Sequence, residues 1–263
     1  MGTKDRRKRE RIVREALFLD TAQMLIQRDG LLALQMSRVA EASDYAIGTL
    51  YQHFSSKEDL LVALATRNCL NRVDLFERAA RWPGPSRERM VATVIADILI
   101  VRNQPEHFRL EQLVWTDVIW GAASPDARRK SLEAGAPLSQ IVDSIVRDAI
   151  SAGDLPSDFG LSLRAVTIGP WSLSLGMHTL THAEGLLEAH IPDDPYRLLI
   201  KHLHYLLNGY GWRPLFDPAD AQAIDALTER LCRDVFDCAC PQSTPSSTDT
   251  TLIGKRQEVA AHD

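Results

Sequence analysis

Apolar positions in this chain recur every three to four residues and almost never every second one, the signature of helices packed along one face. Ile12, Val13, Ala16, Leu17, Met24, Leu25 and Ile26 form a broad stripe on a first helix that starts at Asp5 or Arg9 and runs to Arg28, with Gly30 closing it. Gln35–Ser43 reads as a short second helix with Val39 and Ala40 turned inward. After a tight turn at Asp44, Tyr45 and Ala46, Ile47–Phe54 reads as a third. Ser55 or Ser56 caps a fourth, with Glu58 and Asp59 in its first turn, and Leu60, Leu61, Leu64, Leu70, Val73 and Phe76 carry it to about Arg81. Trp-Pro-Gly-Pro at 82–85 is the clearest break in the chain. Beyond it the pattern predicts helices over 86–102, 105–120, 125–152, 160–184, 195–207 and 218–236. Pro105, Pro125, Pro195 and Pro218 fall in first turns, where the missing N–H is harmless, and Gly153 and Gly209 serve as stops. No alternating strand pattern and no Asn-Gly or Asp-Gly hairpin turn occurs, so the expected fold class is all-α.

Three short helices at one end raise the possibility of a helix-turn-helix, in which the second helix of a pair enters the DNA major groove and the first braces it. On a helical wheel Ile47, Leu50 and Phe54 share one face, and Leu50 and Phe54 are expected to pack on Val39, Ala40 and the first helix. Thr49, Gln52 and His53 point elsewhere, with Tyr51 at the margin. Gly48 lowers helix propensity by about 1 kcal/mol, which calls for a compensating role such as close approach of another surface. Thr49, Tyr51, His53 and Lys57 are hydrogen-bond donors suited to phosphate oxygens. A short helix with a solvated polar face accounts for the wheel equally simply.

Charge adds one feature. The 263 residues carry a formal net charge of -5, which by itself argues against nucleic acid, yet the first fourteen residues hold seven basic side chains and two acidic ones. Such an arm suits phosphate contact, or solubility alone. No apolar leader follows Met1, and the most uncharged segment, 165–183, contains Pro170, two glycines and two histidines, so neither a signal peptide nor a membrane span is expected. Cys69, Cys232, Cys238 and Cys240 are then expected as reduced thiols in a cytoplasmic protein.

The stretch Arg38–Leu61, RVAEASDYAIGTLYQHFSSKEDLL, resembles the DNA-binding domain of the tetracycline-repressor-like (TetR) family of transcriptional regulators. The likeness rests on Val39-Ala40, Gly48-Thr49-Leu50-Tyr51, His53-Phe54 and Ser56-Lys57 before an acidic-Leu pair, with Gly30 at the usual distance upstream; it covers roughly residues 9–70. Asp44 stands where the family usually has glycine, Gln35 where it has a capping Thr or Ser, and Tyr45 where it has a small aliphatic residue. The resemblance implies a helical, dimeric, ligand-responsive regulator, usually a repressor, on a palindromic operator in double-stranded DNA. Carried over position by position, Thr49, Tyr51, His53 and Lys57 would hold phosphates. Ile47, Gly48 and Gln52 would face base edges, and Ser37 and Arg38 would touch backbone or outer bases. It also implies the organisation of the chain: a basic arm and helix-turn-helix over 1–56, a connecting helix over 57–81, a helical ligand and dimer domain over 86–236, and a disordered tail over 237–263.

The larger part is less explicit. By the same resemblance, helices 160–184 and 195–207, the latter with Leu199, Leu203 and Leu206 on one face, would pair with their copies in a homodimer; an intramolecular bundle core is the other source of that pattern. Phe108, Trp115, Trp120, Trp171, Met177 and His178 are candidates for the wall of an effector pocket, with Arg109, Glu111 and Asp117 as polar anchors. His178 and His182 lie four apart, a spacing that can bind metal, but no third ligand is evident and no metal is expected. Nucleophile-elbow, phosphate-loop and zinc-protease motifs are absent from the sequence, and neither enzymatic activity nor a cofactor is expected. A DNA-binding dimer without effector control, or an activator, stands as the alternative to a ligand-released repressor.

Overall fold

In a computed structural model, which describes residues 3–158, 160–183 and 194–239, the chain is built from helices alone among the described residues. Most of the tail expected to be disordered, Cys240 included, lies outside them. The elements are α1 (Thr3–Asp29), α2 (Met36–Ala42), α3 (Ile47–Tyr51), α4 (Lys57–Leu70), α5 (Val73–Arg81), α6 (Ser86–Asn103), α7 (Pro105–Val114), α8 (Pro125–Ala152), α9 (Leu163–His182), α10 (Pro195–Gly209) and α11 (Ala221–Phe236). A 3₁₀ turn (Leu31–Ala33) follows α1, and a π turn (Asp117–Gly121) lies between α7 and α8.

Two apolar cores organise the chain. The first gathers Phe18, Ala22 and Leu25 of α1, Val39 and Ala40 of α2, Leu50 and Phe54, and the apolar face of α4; Leu110, Val114 and Ile119 enter it from the other side. The head therefore rests on α7 and the π turn. Its α1 stripe differs from the expected one. Ile12, Val13 and Leu17 are exposed because the head begins at Phe18 and the first turns of α1 project past it, whereas Met24, within the packed stretch, sits on the outer side of α1. The second core is centred on α6, nearly all of whose apolar side chains are buried among α5, α8, α9, α10 and α11.

Three local differences have clear causes. The expected helix 56–81 breaks at Asn71 and Arg72, where the Arg72 side chain turns inward to two carboxylates. The last helix starts at Ala221, not Pro218, because the Asp220 carboxylate accepts the Ala223 amide (2.9 Å) and outcompetes proline as a start signal. Past α10, the left-handed glycine is Gly211 (φ 72°), two residues beyond the expected stop at Gly209. Gly153 does close α8 with φ 79°.

Candidate nucleic-acid interface and effector cavity

The α2–turn–α3 unit is held from within. Ser43 closes α2: its hydroxyl donates back to the Val39 carbonyl, and the Tyr45 amide donates to the Ala40 carbonyl (3.0 Å). Asp44 adopts φ 58°, the left-handed conformation that glycine would take at least expense and that Asp tolerates better than most residues. Leu50 and Phe54 are buried beneath α3, which leaves Ile47 (45% exposed), Gly48, Tyr51 (47%) and Gln52 facing outward, with Tyr45 and Ser37 nearby in sequence and also exposed. Thr49 and Lys57 are half-buried. A Cβ placed on Gly48 would meet nothing within 4 Å, so no packing inside the chain requires a glycine there.

Two of the expected DNA contacts are placed differently. The His53 side chain is only 4% exposed: its ring packs edge-on against Phe18 (5.3 Å between centroids), with Nδ1 3.7 Å from the Glu15 carboxylate. Burial lowers its pKa, helped by Arg11 and Arg14 and opposed by Glu15. The sequence reading set His53 apart from the buried face, but it follows Leu50 by three residues, at the edge of that face, and its ring turns onto α1. His53 is therefore a packing residue of the head in this structure and not an outward-facing donor. Arg38 forms an ion pair with Asp29 (2.8 Å), which Arg28 also binds (2.9 Å). It remains partly exposed but is tethered to the end of α1.

Ser56 caps α4 by accepting the Asp59 amide (3.1 Å), as expected. Asp59 has a second task that no local pattern announces. Its buried carboxylate accepts the Ser124 amide at 2.7 Å, and Ser124 in turn caps α8 through Ala127, so one acid joins the head to the largest helix of the body.

In the body, α4 to α9 enclose a cavity of about 360 Å³, within the range of small-molecule sites. Phe108, Trp115, Trp171 and His178 line it, as expected from sequence; Trp115 and Trp171 meet edge-to-face at 5.7 Å and are each half-exposed. Trp120 and Met177 do not line it. Trp120 lies within the π turn and packs toward the head core, whereas Met177 lies against the core of the body. Among the proposed anchors, Glu111 lines the cavity and is buried, while Arg109 and Asp117 are exposed.

The inner end of the cavity is a chain of polar groups. Arg72, at the α4–α5 break, donates from Nε to Asp97 (3.2 Å) and from Nη1 to Glu111. The other Asp97 oxygen lies 3.1 Å from His178 Nε2, and His178 Nδ1 lies 3.3 Å from the Tyr196 hydroxyl. Burial works against the Arg72 charge, but Glu111 and Asp97 outweigh it and hold the guanidinium protonated. Burial likewise opposes ionisation of Asp97, and the hydrogen bonds from His178 and Arg72 overcome it, so its carboxyl sits below the usual range. Glu111 shares the same guanidinium without a second donor. Burial prevails there and raises its carboxyl. Tyr196 is pushed up to about 12, chiefly by burial. Sequence reading missed Arg72 and Asp97 because each looks like an ordinary charge on a helix; only the tertiary fold brings α5, α6, α7 and α9 to one point. His182, the other member of the histidine pair, gives its Nδ1 to the His178 carbonyl (2.9 Å), an intrahelical contact. Among the described residues no group of three potential metal ligands occurs.

The expected dimer leucines are also relocated. Leu199 and Leu203 are buried in their own chain's core, and Leu206 is half-buried close to Gly169 of α9. The i, i+4, i+7 pattern marks the inner face of α10. On its opposite face Tyr205 is 53% exposed, as are Ile168 (53%), Trp171 (50%) and Leu180 (39%) on the adjoining α9.

Residues 18–64 match the sequence profile of the bacterial regulatory proteins of the tetR family. Over 95 residues the chain is 36% identical to the HTH-type transcriptional repressor KstR of Rhodococcus jostii, covering 36% of this chain and 40% of that protein. Over 97 residues it is 30% identical to the HTH-type transcriptional activator FasR of Mycolicibacterium smegmatis, covering 37% of this chain and 44% of that one. These matched stretches span less than half the length of the curated relatives. The solved structure of the transcriptional regulator FadR from Bacillus subtilis, in complex with stearoyl-CoA, superposes with a TM-score of 0.56 at 20% identity, covering 74% of this chain and 98% of the other. Residues 18–64 thus carry the sequence signature of the tetR family of bacterial regulatory proteins, and the fold beyond them is similar to that of FadR.

Proposed function

We propose that the protein is a transcriptional regulator that binds double-stranded DNA as a homodimer through α3 and is controlled by a small apolar effector in the cavity of its body. One observation carries the DNA reading: α3 presents Ile47, Gly48, Tyr51 and Gln52 outward, around a glycine that nothing inside the chain requires. An open position there suits a base edge or sugar approaching the backbone. Tyr51, Thr49 and Lys57 are assigned to phosphates, Ile47 and Gln52 to bases, Ser37 and Arg38 to flanking contacts, and the basic first turns of α1 to further phosphates. His53 positions α3 through Phe18 and is not assigned a contact.

The dimer is assigned to the outer faces of α9 and α10, where Ile168, Leu180 and Tyr205 are exposed, in place of the buried leucines. Two-fold pairing matches two half-sites about 34–36 Å apart, or a multiple of that spacing. Residues 1–56 act as the DNA-reading unit, 57–81 as the connection and 86–236 as the effector and dimer unit.

Effector control is supported by the position of Arg72. It lines the cavity and also forms the joint between α4, which carries the head, and α5. A molecule in the cavity that favours one setting of this joint shifts the population of heads able to match the operator, by no more than its differential affinity for the two settings. The stearoyl-CoA bound to FadR supports an apolar, chain-like effector class for a body of this fold. Repressor and activator relatives are both similar to this chain. The testing experiment is selection of bound sequences from a random duplex pool. A palindromic winner is the expected result, and recovery of unrelated sequences with no symmetry refutes the reading.

A further inference from the structure

The inner end of the cavity has an unusual charge balance. Arg72 and Arg164 are its two lining arginines, and the Arg164 side chain is 73% exposed, with its Nε 3.9 Å from Asp143, so it belongs to the rim. Inside, one guanidinium serves two carboxylates, Asp97 and Glu111, and its Nε and Nη1 are already committed to them. Several other donors along the wall are engaged as well. The Thr93 hydroxyl donates to the Met90 carbonyl (2.8 Å), the Thr167 hydroxyl to Arg164 (3.1 Å), and His178 Nε2 to Asp97. The rest of the wall is aromatic and aliphatic, apart from the Cys69 thiol and the Ser139 and Ser174 hydroxyls. A carboxylate brought to this end would be a third anion around one cation, in surroundings where burial strengthens the repulsion. A hydroxyl or ammonium has the opposite fit, because it donates to carboxylate oxygens that hold spare lone pairs.

From this arrangement we infer that the cavity takes an apolar molecule whose inner end is a hydrogen-bond donor, a hydroxyl or an ammonium, and discriminates against the same molecule ending in a carboxylate. The inference rests on the effector reading and adds the chemistry of the head group. It separates this cavity from one built to seat a free fatty acid, which would set an uncommitted cation at its inner end.

The test uses the full chain at pH 7.5 and three probes with one ten-carbon tail: decan-1-ol, decylamine and decanoate. Binding is read by calorimetry and by the fluorescence of Trp115 and Trp171, which stand at the cavity wall. Decanol and decylamine are expected to bind at least tenfold more tightly than decanoate. Glu111→Gln keeps a hydrogen-bond acceptor for Arg72 while removing one negative charge, and is expected to narrow that preference severalfold. Gly135→Trp is the control for location: Gly135 lines the cavity from α8, and a Cβ there meets nothing within 4 Å, so the large side chain fills open space without a clash at its base. It is expected to abolish binding of all three probes with helix content unchanged. If decanoate binds as tightly as decanol, the head-group inference is wrong and the effector cavity stands. If no probe binds, or Gly135→Trp leaves binding unaltered, the effector reading falls with it.

Discussion

His204 makes the body of the protein acid-sensitive, by an amount that follows from its surroundings. The ring is fully buried on α10 and stacks on Phe216 (4.0 Å between centroids, planes 12° apart). Its Nδ1 lies 3.3 Å from Nη2 of Arg87, which can only donate, so Nδ1 is the acceptor and the proton of the neutral ring sits on Nε2, buried without a partner. Arg87 is itself buried. It donates to the carbonyls of Trp212 (2.5 Å) and His204 (3.1 Å) and to the Asn208 side chain (2.9 Å), with no carboxylate in that set. Burial, and then the Arg87 charge, lower His204 from its ordinary 6.5 to about 4. The unfolded chain takes up this proton below pH 6.5, whereas the folded chain resists it until about pH 4. The contribution to stability is therefore complete above pH 6.5, is lost progressively as pH falls, and levels off below about 4. At pH 5 the loss is about 2 kcal/mol, out of about 3 kcal/mol for the whole window. Urea denaturation of the wild type and of His204→Asn, each at pH 7.5 and pH 5.0, isolates it. Asparagine can still accept from Arg87 but does not titrate. His53, His107 and His182, whose pKa values are also lowered, chiefly by burial, contribute to both proteins and cancel. The drop between the two pH values is expected to be about 2 kcal/mol smaller in the variant. Equal drops in the two proteins would refute the reasoning, because the ring would then titrate alike in both states.

Four further outcomes are expected. Gly48→Ala should leave the chain as stable or raise its stability by up to about 1 kcal/mol, since no internal contact opposes it, while weakening operator binding in a gel-shift assay; unchanged affinity removes the close-approach role. Lys57→Ala should lower affinity for all duplexes and reduce the slope of log affinity against log salt by about 1.8, the value for two phosphates, one in each half-site of the dimer, whereas Gln52→Ala should change which duplexes a selection recovers; an unaltered slope, or a uniform loss, contradicts the respective assignment. Asp59→Ala leaves the Ser124 amide without its 2.7 Å acceptor and should cost about 1–3 kcal/mol in urea denaturation, an effect absent if Asp59 acts only at the start of α4. Leu203→Ala should cost about 2–5 kcal/mol as a core cavity, while Tyr205→Asp on the outer face of α10 should raise the monomer fraction in sedimentation with little loss of helix; the reverse pairing would return the interface to the buried face.

The head was the legible part of this chain because its information is local. Asp44 and the spacing of Val39, Leu50 and Phe54 act within a few residues of one another, and the structure packs these apolar groups as the wheel requires while Asp44 takes the left-handed turn. His53 marks the limit of that approach. It follows Leu50 by three residues, at the edge of the buried face, and a wheel does not say whether a ring at that edge packs on α1 or turns to solvent. Periodicity also reports that a face is apolar without saying what covers it, which is why Leu199 and Leu203 read as an interface and lie in a core. The polar end of the cavity was the least legible feature. Arg72, Asp97, Glu111 and His178 are contributed by separate elements and share no motif. Arg72 even falls inside a pattern that predicts unbroken helix, and the break becomes intelligible once its carboxylate partners are known. The same residue separates two helices and faces the cavity, so the interruption of the predicted helix places the joint next to the head against the cavity wall.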